Sequence, residues 1–284
     1  MSRVQARMNL LRDATELRAT LRGDTTVILA TMGIEAVIFA GLLKMRSRRT
    51  RIELFDFLAP RRGVPRRLAA PLFRLFDRAL VIRRGDVAML ERRFGFPAAR
   101  CRFTPWPVVM GSIPDKASRG DYIYAAGWAH RDWPTLLAAL DRTGLPAVLA
   151  AGHTLDLPDG CASTVRVIDM PSPEEGRRLA SGATVVAVPM VETDLPSGPL
   201  VLLDALAMGK AVVVTDVNGT RDYVSHGETA LVVPPRDVSA MAHALVTLHS
   251  DATLRGRLGR AAQGHVRELC AVESFWEVLT ESCR

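Results

Sequence analysis

Cysteine is scarce in this 284-residue sequence, and its four copies, Cys101, Cys161, Cys270 and Cys283, lie far apart without any CxxC pair. Such spacing is typical of reduced thiols and excludes the common zinc-ribbon arrangement. The histidines also lack metal-ligand spacing, and no pair of acids indicates hydrolysis by two carboxyl groups. We therefore expect no metal site and no disulfide.

The sequence shows no pattern of a secretory leader, and only one long apolar run, at residues 25–43, could be a membrane span. Residues 1–22 are polar with a helical pattern, which is not that of a signal peptide. Residues 25–43 are nearly all apolar and are followed by basic residues, as at the end of a membrane span. Glu35 would be costly in lipid, and the break at Gly33 suits a strand, a turn and a helix. A strand–turn–helix unit and a single span before a cytosolic domain are the two interpretations.

Acidic residues are few in the first half of the chain, although the net charge of the whole is only +7. Residues 44–84 contain 13 basic residues and only three acidic ones, Glu53, Asp56 and Asp77, a local excess of +10. Such asymmetry favours an anionic partner. Nucleic acid is not expected, because no binding module or interleaved aromatic residues accompany the charge. An anionic membrane surface fits better, because the basic residues flank an apolar group at residues 68–76; an ordinary Arg-rich, solvated surface is the alternative.

Aromatic residues make up 6% of the chain and apolar residues 48%, which is typical of an α/β protein. The first half alternates strands with helices, followed by a polar linker at residues 110–120. The predicted strands here are 25–30, 51–58, 79–83 and 102–105, and the predicted helices are 4–22, 34–45, 65–78 and 86–94.

The second half repeats the alternation, which indicates another parallel, doubly wound sheet. Its predicted strands are 122–126, 146–150, 164–168, 185–188, 211–214 and 230–233. Its predicted helices are 133–140, 172–180, 200–208, 238–248, 254–269 and 271–282. Ser172 and Glu175 are spaced as a capping pair at the start of their helix.

The strands 185–188 and 211–214 are apolar on every side chain, which predicts that both are buried in the centre of the sheet. Ser197, Gly198 and Pro199 precede the helix between them. Its N-terminus opens at the edge of the sheet where α/β proteins bind ligands, and free amides there favour a phosphate. Asp204 lies about one turn into the helix, within reach of a ribose on that phosphate. An ordinary βαβ unit with a solvated Asp204 is the alternative.

Residues 197–262, SGPLVLLDALAMGKAVVVTDVNGTRDYVSHGETALVVPPRDVSAMAHALVTLHSDATLRGRLGRAA, resemble the donor domain of family 4 glycosyltransferases, the group 1 sugar transferases. The shared features are the helix acid at Asp204, the turn at Asn218 and Gly219, the Gly-Glu-Thr turn that begins at Gly227, and the Val-Pro-Pro run that begins at Val233.

The resemblance implies an α/β protein of GT-B fold with two Rossmann-like, doubly wound parallel-sheet domains. Residues 1–119 would form a small or incomplete acceptor-side domain. Residues 120–284 would form the nucleotide-sugar domain, whose closing helix crosses back to the first domain. The family's first strand and Gly-rich turn are not visible, and its catalytic-site His after a strand like 25–30 is replaced by Ala30, Thr31 and Met32.

The function that the resemblance implies is transfer of a sugar from a nucleotide-sugar donor to an unknown acceptor, with retention of configuration. The nucleotide-sugar is a substrate, so no cofactor and no metal are expected. The implied location is the cytoplasm, with peripheral association at the inner membrane face. A non-catalytic GT-B partner that assists an active transferase is the alternative.

The family places a basic pair after the first donor-domain strand, and here the corresponding residues begin at Gly127. Arg131 matches the family's Lys and would clamp the diphosphate bidentately. Trp128 stands where the family has Arg, and His130 is a partial substitute. Pairing of Arg131 with Asp132 or with another surface acid is the alternative.

The family's two acids, spaced E-x7-E, are represented by Asp204 at the second position, whereas the first is Pro196. Glu192 and Asp194 lie nearby and would contact the sugar, unless they are solvated loop acids. The remaining residues that we assign to donor binding are Ser197, Gly198, Pro199 and Leu200 through their backbone, and Met170, which follows the strand 164–168.

Overall fold

The computed structural model describes residues 26–29, 34–46, 49–57, 66–110, 120–152, 155–161, 163–193 and 199–281. The predicted helix 4–22 and most of the predicted linker lie outside these ranges. The described chain forms two compact units. The first contains the residues up to Trp106 together with Glu273 and the helix it belongs to, and the second contains the chain from Pro107 to Val272.

The first unit contains a four-stranded parallel sheet, in which the strands follow chain order. Its strands are β1 (Thr26–Leu29), β2 (Arg51–Phe55), β3 (Arg78–Val81) and β4 (Cys101–Phe103). The helices of this half are α1 (Ile34–Arg46), α2 (Arg66–Phe73) and α3 (Gly85–Phe94). Right-handed crossovers that advance in one direction place their helices on one face of a sheet. The buried core joins these helices to that face, with Phe39, Phe73, Leu90, Ile52 and Val81 among its members.

The four-stranded sheet decides between the two interpretations of residues 25–43. The chain forms β1, paired in parallel with β2, and then α1, so the predicted strand and helix are confirmed, whereas the predicted turn between them lies outside the described residues. Across the described ranges, no helix has both the length and the apolar character that crossing a membrane requires.

The predicted helix 65–78 is too long at its C-terminal end. The helix ends at Phe73, and Arg78 is the first residue of β3. The reason is the polar anchor before the strand: the carboxylate of Asp77 accepts hydrogen bonds from the Ile52 amide at 2.7 Å and from Lys44 Nζ at 2.8 Å. These bonds tie the segment to β2 and α1 rather than leaving it free to continue the helix.

The last helix, α9 (Val272–Glu281), returns to the first unit, as the resemblance implies. The ring of Phe275 packs edge-on against Phe55 of β2, with centroids 5.7 Å apart. Near the other end of the helix, Glu281 forms an ion pair with Arg102 of β4. The two contacts hold α9 to β2 and β4.

The second unit contains a six-stranded parallel sheet in the order β10-β9-β8-β5-β6-β7. Its strands are β5 (Ile123–Ala126), β6 (Ala147–Ala150), β7 (Val165–Ile168), β8 (Val185–Val188), β9 (Val212–Thr215) and β10 (Leu231–Val233). Every residue of β5, β6, β8 and β9 is buried. The prediction that 185–188 and 211–214 form interior strands of a parallel sheet is confirmed.

This strand order creates one reversal point. The chain moves outward from β5 to β6 and β7, and then returns to place β8 on the other side of β5. Loops after β5 and β8 therefore diverge at adjacent carboxyl ends, which is the ligand-binding position in doubly wound sheets.

The helices of this unit are α4 (Trp133–Thr143), α5 (Pro173–Gly182), α6 (Leu200–Ala207), α7 (Val238–Ser250) and α8 (Ala252–Leu269). The amide of Glu175 donates to Ser172 Oγ at 3.2 Å, so the predicted cap at the start of α5 forms. The Glu175 carboxylate does not complete a reciprocal box, because it accepts two hydrogen bonds from Arg178.

The backbone of α8 packs closely against the chain just after the C-terminal end of α6. A Cβ atom at Gly259 would lie 2.0 Å from the carbonyl oxygen of Gly209. One turn further along α8, Gln263 Nε2 donates to the Ala207 carbonyl at 2.9 Å, which satisfies the C-terminal end of α6. The position of α6 thus depends on a glycine in its neighbour.

We expect Gly259→Ala to lower the free energy of unfolding by about 1–3 kcal/mol, because backbone atoms cannot move aside cheaply. Gly264→Ala in the same helix is the matched control, since a Cβ there meets nothing within 4 Å. The control should raise stability by about 0.5–1 kcal/mol through helix propensity. Chemical denaturation measures both, and equal effects of the two substitutions would contradict the close approach.

Candidate anion site at the reversal point

The loops after β5 and β8 are joined by backbone hydrogen bonds. The amide of Asp132 donates to the Pro189 carbonyl at 3.1 Å, and the amide of Val191 donates to the His130 carbonyl at 3.0 Å. Arg131 and Met190 form an antiparallel bridge between these bonds. Arg131 is therefore fixed at the reversal point by the main chain on both sides.

Gly127 makes the space that the Arg131 side chain occupies. Its φ of +125° is rare for residues with side chains, and an added Cβ would lie 2.6 Å from Arg131 Nε and Nη2. Arg131 Nε donates to the Ala126 carbonyl at 2.8 Å, at the end of β5. The guanidinium thus lies over the backbone of the β5 end.

The positive charge of Arg131 has no carboxylate partner among the described residues. Its Nη1 donates to the Ala129 carbonyl at 3.4 Å and contacts the Met190 sulfur, and burial lowers the pKa of the guanidinium to about 10. The alternative pairing with Asp132 does not form. Asp132 instead caps α4, where it accepts from the hydroxyl of Thr135 at 2.7 Å. Arg131 is therefore a partly buried cation whose charge no described carboxylate balances.

Trp128 and His130 occupy the same loop. The Trp128 side chain is 76% exposed, so its indole has an open face toward solvent. His130 has a positive φ of 56°, an uncommon conformation for a residue with a side chain. A role for Trp128 and His130 in donor binding stays a prediction.

Two buried threonines link the loop after β8 to the loop after β9. The amide of Met190 donates to Thr215 Oγ1 at 3.0 Å, and Thr220 Oγ1 donates to the Thr215 carbonyl at 2.6 Å. Both threonine side chains are almost fully buried. Neither threonine was predicted from the sequence as a site residue, although both flank the predicted turn at Asn218 and Gly219.

Glu192 braces these two loops. Its Oε1 accepts from the Asn218 amide at 3.2 Å, and its Oε2 lies 3.4 Å from Arg221 Nη2. Arg221 also donates from Nε to Asp216 Oδ1 at 2.7 Å. Glu192 is thus engaged by the loop after β9 rather than simply solvated, and half of its side chain remains exposed. Asp194, the other predicted sugar contact, lies outside the described residues.

The N-terminus of α6 faces the same edge of the sheet. Ser197 and Gly198 lie outside the described residues, and Pro199 provides no amide and no side-chain cap. The amides of Leu200, Val201 and Leu202 belong to the first turn, which has no preceding helical carbonyl, whereas the amide of Leu203 donates to the Pro199 carbonyl at 2.8 Å. Leu200 itself is 53% exposed.

Asp204 lies one turn into α6, as predicted. Burial raises the pKa of its carboxyl group, and Arg177 of α5 opposes the shift from 3.9 Å. The side chain is 39% exposed, so it is accessible to a ligand. Arg177 was not assigned from the sequence, because only the packing of α5 beside α6 brings it to Asp204.

Met170 follows β7, two strands away from β5, and is 41% exposed. Its Cγ lies 3.4 Å from the point where a Cβ on Gly152 would be. The structure therefore brings Gly127, Arg131 and Glu192 together at the joined loops, with Met170 beyond them along the same edge. In the described parts of the chain, no group of three His, Cys, Asp or Glu residues is arranged to hold a metal ion.

Solved structures show what class of fold carries this site. The chain superposes with a TM-score of 0.78 on a glycosyltransferase from Rickettsia africae at 10% identity, covering 97% of this chain and 82% of that one. HepE from Anabaena, in complex with UDP and glucose, gives a TM-score of 0.78 at 14% identity and coverages of 96% and 80%. The two parallel sheets are those of the GT-B fold, with two Rossmann-like domains.

Part of the chain matches a known family by sequence. Residues 120–251 match the family model described as Glycosyl transferases group 1. A D-inositol 3-phosphate glycosyltransferase from Corynebacterium efficiens is 35% identical over 108 residues, which are 38% of this chain. The matched segment spans a quarter of the length of that relative.

We expect Gly127→Ala to displace Arg131 from the Ala126 carbonyl and to weaken binding of inorganic diphosphate about tenfold, equivalent to about 1.4 kcal/mol. Gly144→Ala is the control, since Gly144 also has a positive φ, of 64°, but an added Cβ there meets nothing within 4 Å. Calorimetry should show unchanged diphosphate affinity for the control. Equal loss in both variants would mean that backbone strain, not Arg131, explains the result.

Proposed function

We propose that the protein transfers a sugar from a nucleotide-sugar donor, and that the second unit binds the donor. The observation that carries this proposal is the Arg131 guanidinium, which lies partly buried at the reversal point without a carboxylate partner among the described residues. A nucleoside diphosphate supplies the missing negative charge. The relative HepE, whose structure contains UDP and glucose, supports this ligand class.

The diphosphate is proposed to lie between Arg131 and the first turn of α6. Helix N-termini favour anions because their amides are unsatisfied and the helix dipole is positive there. Ser197, Gly198 and Pro199 would line this position through the main chain. As the bond to the sugar breaks, charge grows on the diphosphate, and donors already in place stabilise it.

The ribose is proposed to bind Asp204, and the base to lie toward Met170. A half-exposed carboxylate whose charged form is disfavoured by burial is suited to accept hydrogen bonds from two hydroxyl groups. Gly127, Trp128 and His130 complete the donor side. Glu192 and Asp194 are proposed sugar contacts, although Glu192 already braces the loop after β9.

Retention of configuration and independence from metal are parts of the proposal. Arg131 and the amides of α6 provide positive charge for the leaving diphosphate without a metal ion. The acceptor is an unspecified hydroxyl compound. The alternative function is a non-catalytic partner of an active transferase, favoured by Trp128 and Pro196 standing where the resembling family has Arg and an acid.

We expect Asp204→Ala to weaken nucleoside diphosphate binding about 10- to 150-fold, because a hydrogen bond to a charged group contributes roughly 1.5–3 kcal/mol. Stability should not fall, because burial disfavours the ionised carboxyl group that is removed. Calorimetry with UDP, GDP and ADP measures the affinity, and chemical denaturation measures the stability.

Glu268→Ala, which removes an exposed acid from α8 in the same unit, is the control and should bind normally. Arg131→Ala should reduce turnover of a nucleotide-sugar more than it reduces binding, because charge accumulates only as the bond breaks. A wild-type protein that binds no nucleoside diphosphate would refute the proposal. Binding without any turnover would favour the non-catalytic partner.

Peripheral association with a cytoplasmic membrane face is a second part of the proposal. Three of the basic residues in the first unit, Lys44, Arg78 and Arg83, are neutralised by ion pairs with acids. The exposed surface around α2 keeps Arg67 and Arg74, with the apolar side chain of Leu72 between them 38% exposed. Cations around an apolar side chain are the composition that anionic lipid surfaces attract.

We expect the protein to bind vesicles that contain anionic lipid at low salt and to dissociate as salt rises, because charges are screened over roughly 10 Å at 0.1 M. Arg74→Glu should weaken this binding. Arg260→Glu, an equal charge change on an exposed position of α8, should weaken it less. Co-sedimentation measures both, and equal binding to neutral vesicles would contradict the electrostatic attachment.

A further inference from the structure

A cavity of about 260 Å³ lies at the amino edge of the six-stranded sheet. Its walls include Gly120, Thr184 and Ala211, which lie shortly before β5, β8 and β9, together with the first turn of α8. Because these strands are parallel, their amino ends lie at one edge, opposite the carboxyl edge where Arg131 is held. The cavity is therefore separate from the candidate anion site at the reversal point.

The charged side chains that line this cavity are of one sign. Among the described residues of its lining, the charged ones are Lys210 and Arg255, and none is acidic. The acids next to the lining residues in sequence are engaged elsewhere: Asp121 Oδ1 lies 2.8 Å from His249 Nε2, and the side chain of Asp251 caps α8. The lining therefore favours a negatively charged ligand.

Arg255 has donor groups left for such a ligand. Its Nη1 donates to the carbonyls of Leu248 and His249, at 2.7 and 2.6 Å, which fixes the guanidinium against the end of α7. No described residue accepts a hydrogen bond from its Nε or Nη2, and no described carboxylate pairs with it. The Nε and Nη2 donors lie on one side of the planar guanidinium, which is the arrangement that binds two oxygens of a phosphate or carboxylate group.

Lys210 lies on the wall formed by the end of α5. Its Nζ donates to the Ser181 carbonyl at 2.8 Å, in the last turn of that helix. The next two residues, Gly182 and Ala183, also line the cavity. The hydrogen bond thus holds the ammonium group at the cavity wall, and lysine ammonium groups bind phosphate as point charges.

Size and charge together define the kind of ligand that fits. Pockets for drug-sized molecules are roughly 300–1,000 Å³, so this cavity suits a molecule smaller than a nucleotide-sugar. A metal cation is disfavoured by the two basic side chains, and an apolar molecule would desolvate their charges without compensation. A phosphate group supplies oxygens to the Arg255 fork and negative charge to Lys210.

We propose that this cavity binds the phosphate group of a small molecule through Lys210 and Arg255, as a second anion site of the unit. The proposal does not rest on the proposed function, because neither residue belongs to the proposed donor site.

The decisive variant is Gly256→Leu, because Gly256 lines the cavity and an added Cβ there would meet only Arg260 Nη1, at 3.5 Å. The new side chain fills ligand space without removing a contact of Lys210 or Arg255. Gly264→Leu in the same helix is the matched control, since a Cβ there meets nothing within 4 Å and Gly264 is not among the lining residues. Leucine favours the helix over glycine, so neither substitution should lower the free energy of unfolding.

Lys210→Gln is the second variant and tests the charge directly. Phosphorus NMR titrations with inorganic phosphate and with glycerol 3-phosphate measure binding, and chemical denaturation measures stability. We expect Gly256→Leu to weaken binding about tenfold and Lys210→Gln about 10- to 150-fold, as for loss of a hydrogen bond between charged groups. Gly264→Leu and Arg131→Ala should keep the binding that Gly256→Leu loses, and Gly256→Leu should bind nucleoside diphosphate normally.

The outcomes separate this proposal from the proposed function. No binding of either probe to the wild type, or equal affinity of Gly256→Leu and Gly264→Leu, overturns the cavity site. Loss of probe binding in Arg131→Ala with binding kept in Gly256→Leu also overturns it, because the phosphate then binds at the reversal point. Absence of nucleoside diphosphate binding overturns the proposed function, while selective loss of probe binding in Gly256→Leu still supports the cavity site.

The two probes distinguish the source of the phosphate group. Tighter binding of glycerol 3-phosphate supports the site as one for a phosphorylated metabolite, whereas tighter binding of inorganic phosphate supports it as one for the free ion.

Discussion

The parallel pairing of β5 with β8 is the constraint on which the candidate site depends. Because these adjacent strands belong to opposite windings of the sheet, the loops that follow them separate at a common edge. The backbone bonds between Asp132 and Pro189 then rejoin the loops and fix Arg131 between them. Gly127 is required because the guanidinium folds back over the strand end, where a Cβ would collide with it. A single strand pairing thus determines both the position of the charge and the residue beneath it.

Two ionisable groups of the candidate site lie partly buried. Arg131 has no carboxylate partner among the described residues, and burial raises the pKa of Asp204. By contrast, Arg83 and Asp86 are buried together and satisfy each other. Unpaired buried charge costs stability, so its presence at ligand-binding edges is consistent with selection for binding rather than for folding.

Strands and helices could be predicted from the sequence because their signals are local. The run at residues 185–188 is apolar on every side chain and is buried on every side chain. The bonds that shape the site are not local: Glu192 meets Asn218 across 26 residues, and Met190 meets Thr215 across 25. Single-residue patterns contain no information about such pairs. For the same reason Arg177 was missed, although Asp204, its neighbour in space, was identified from its place in the helix.

Trp128 and Pro196 stand where the resembling family has Arg and an acid, so fewer side chains are left to bind the proposed donor. Without a second basic side chain at position 128, the positive charge for a diphosphate comes from Arg131 and the amides of an eight-residue helix. A partner protein with no anion to bind would be more stable if a neutral side chain replaced that uncompensated guanidinium. The partly buried Arg131, which has no carboxylate partner among the described residues, is therefore an argument for a chain that still binds an anion.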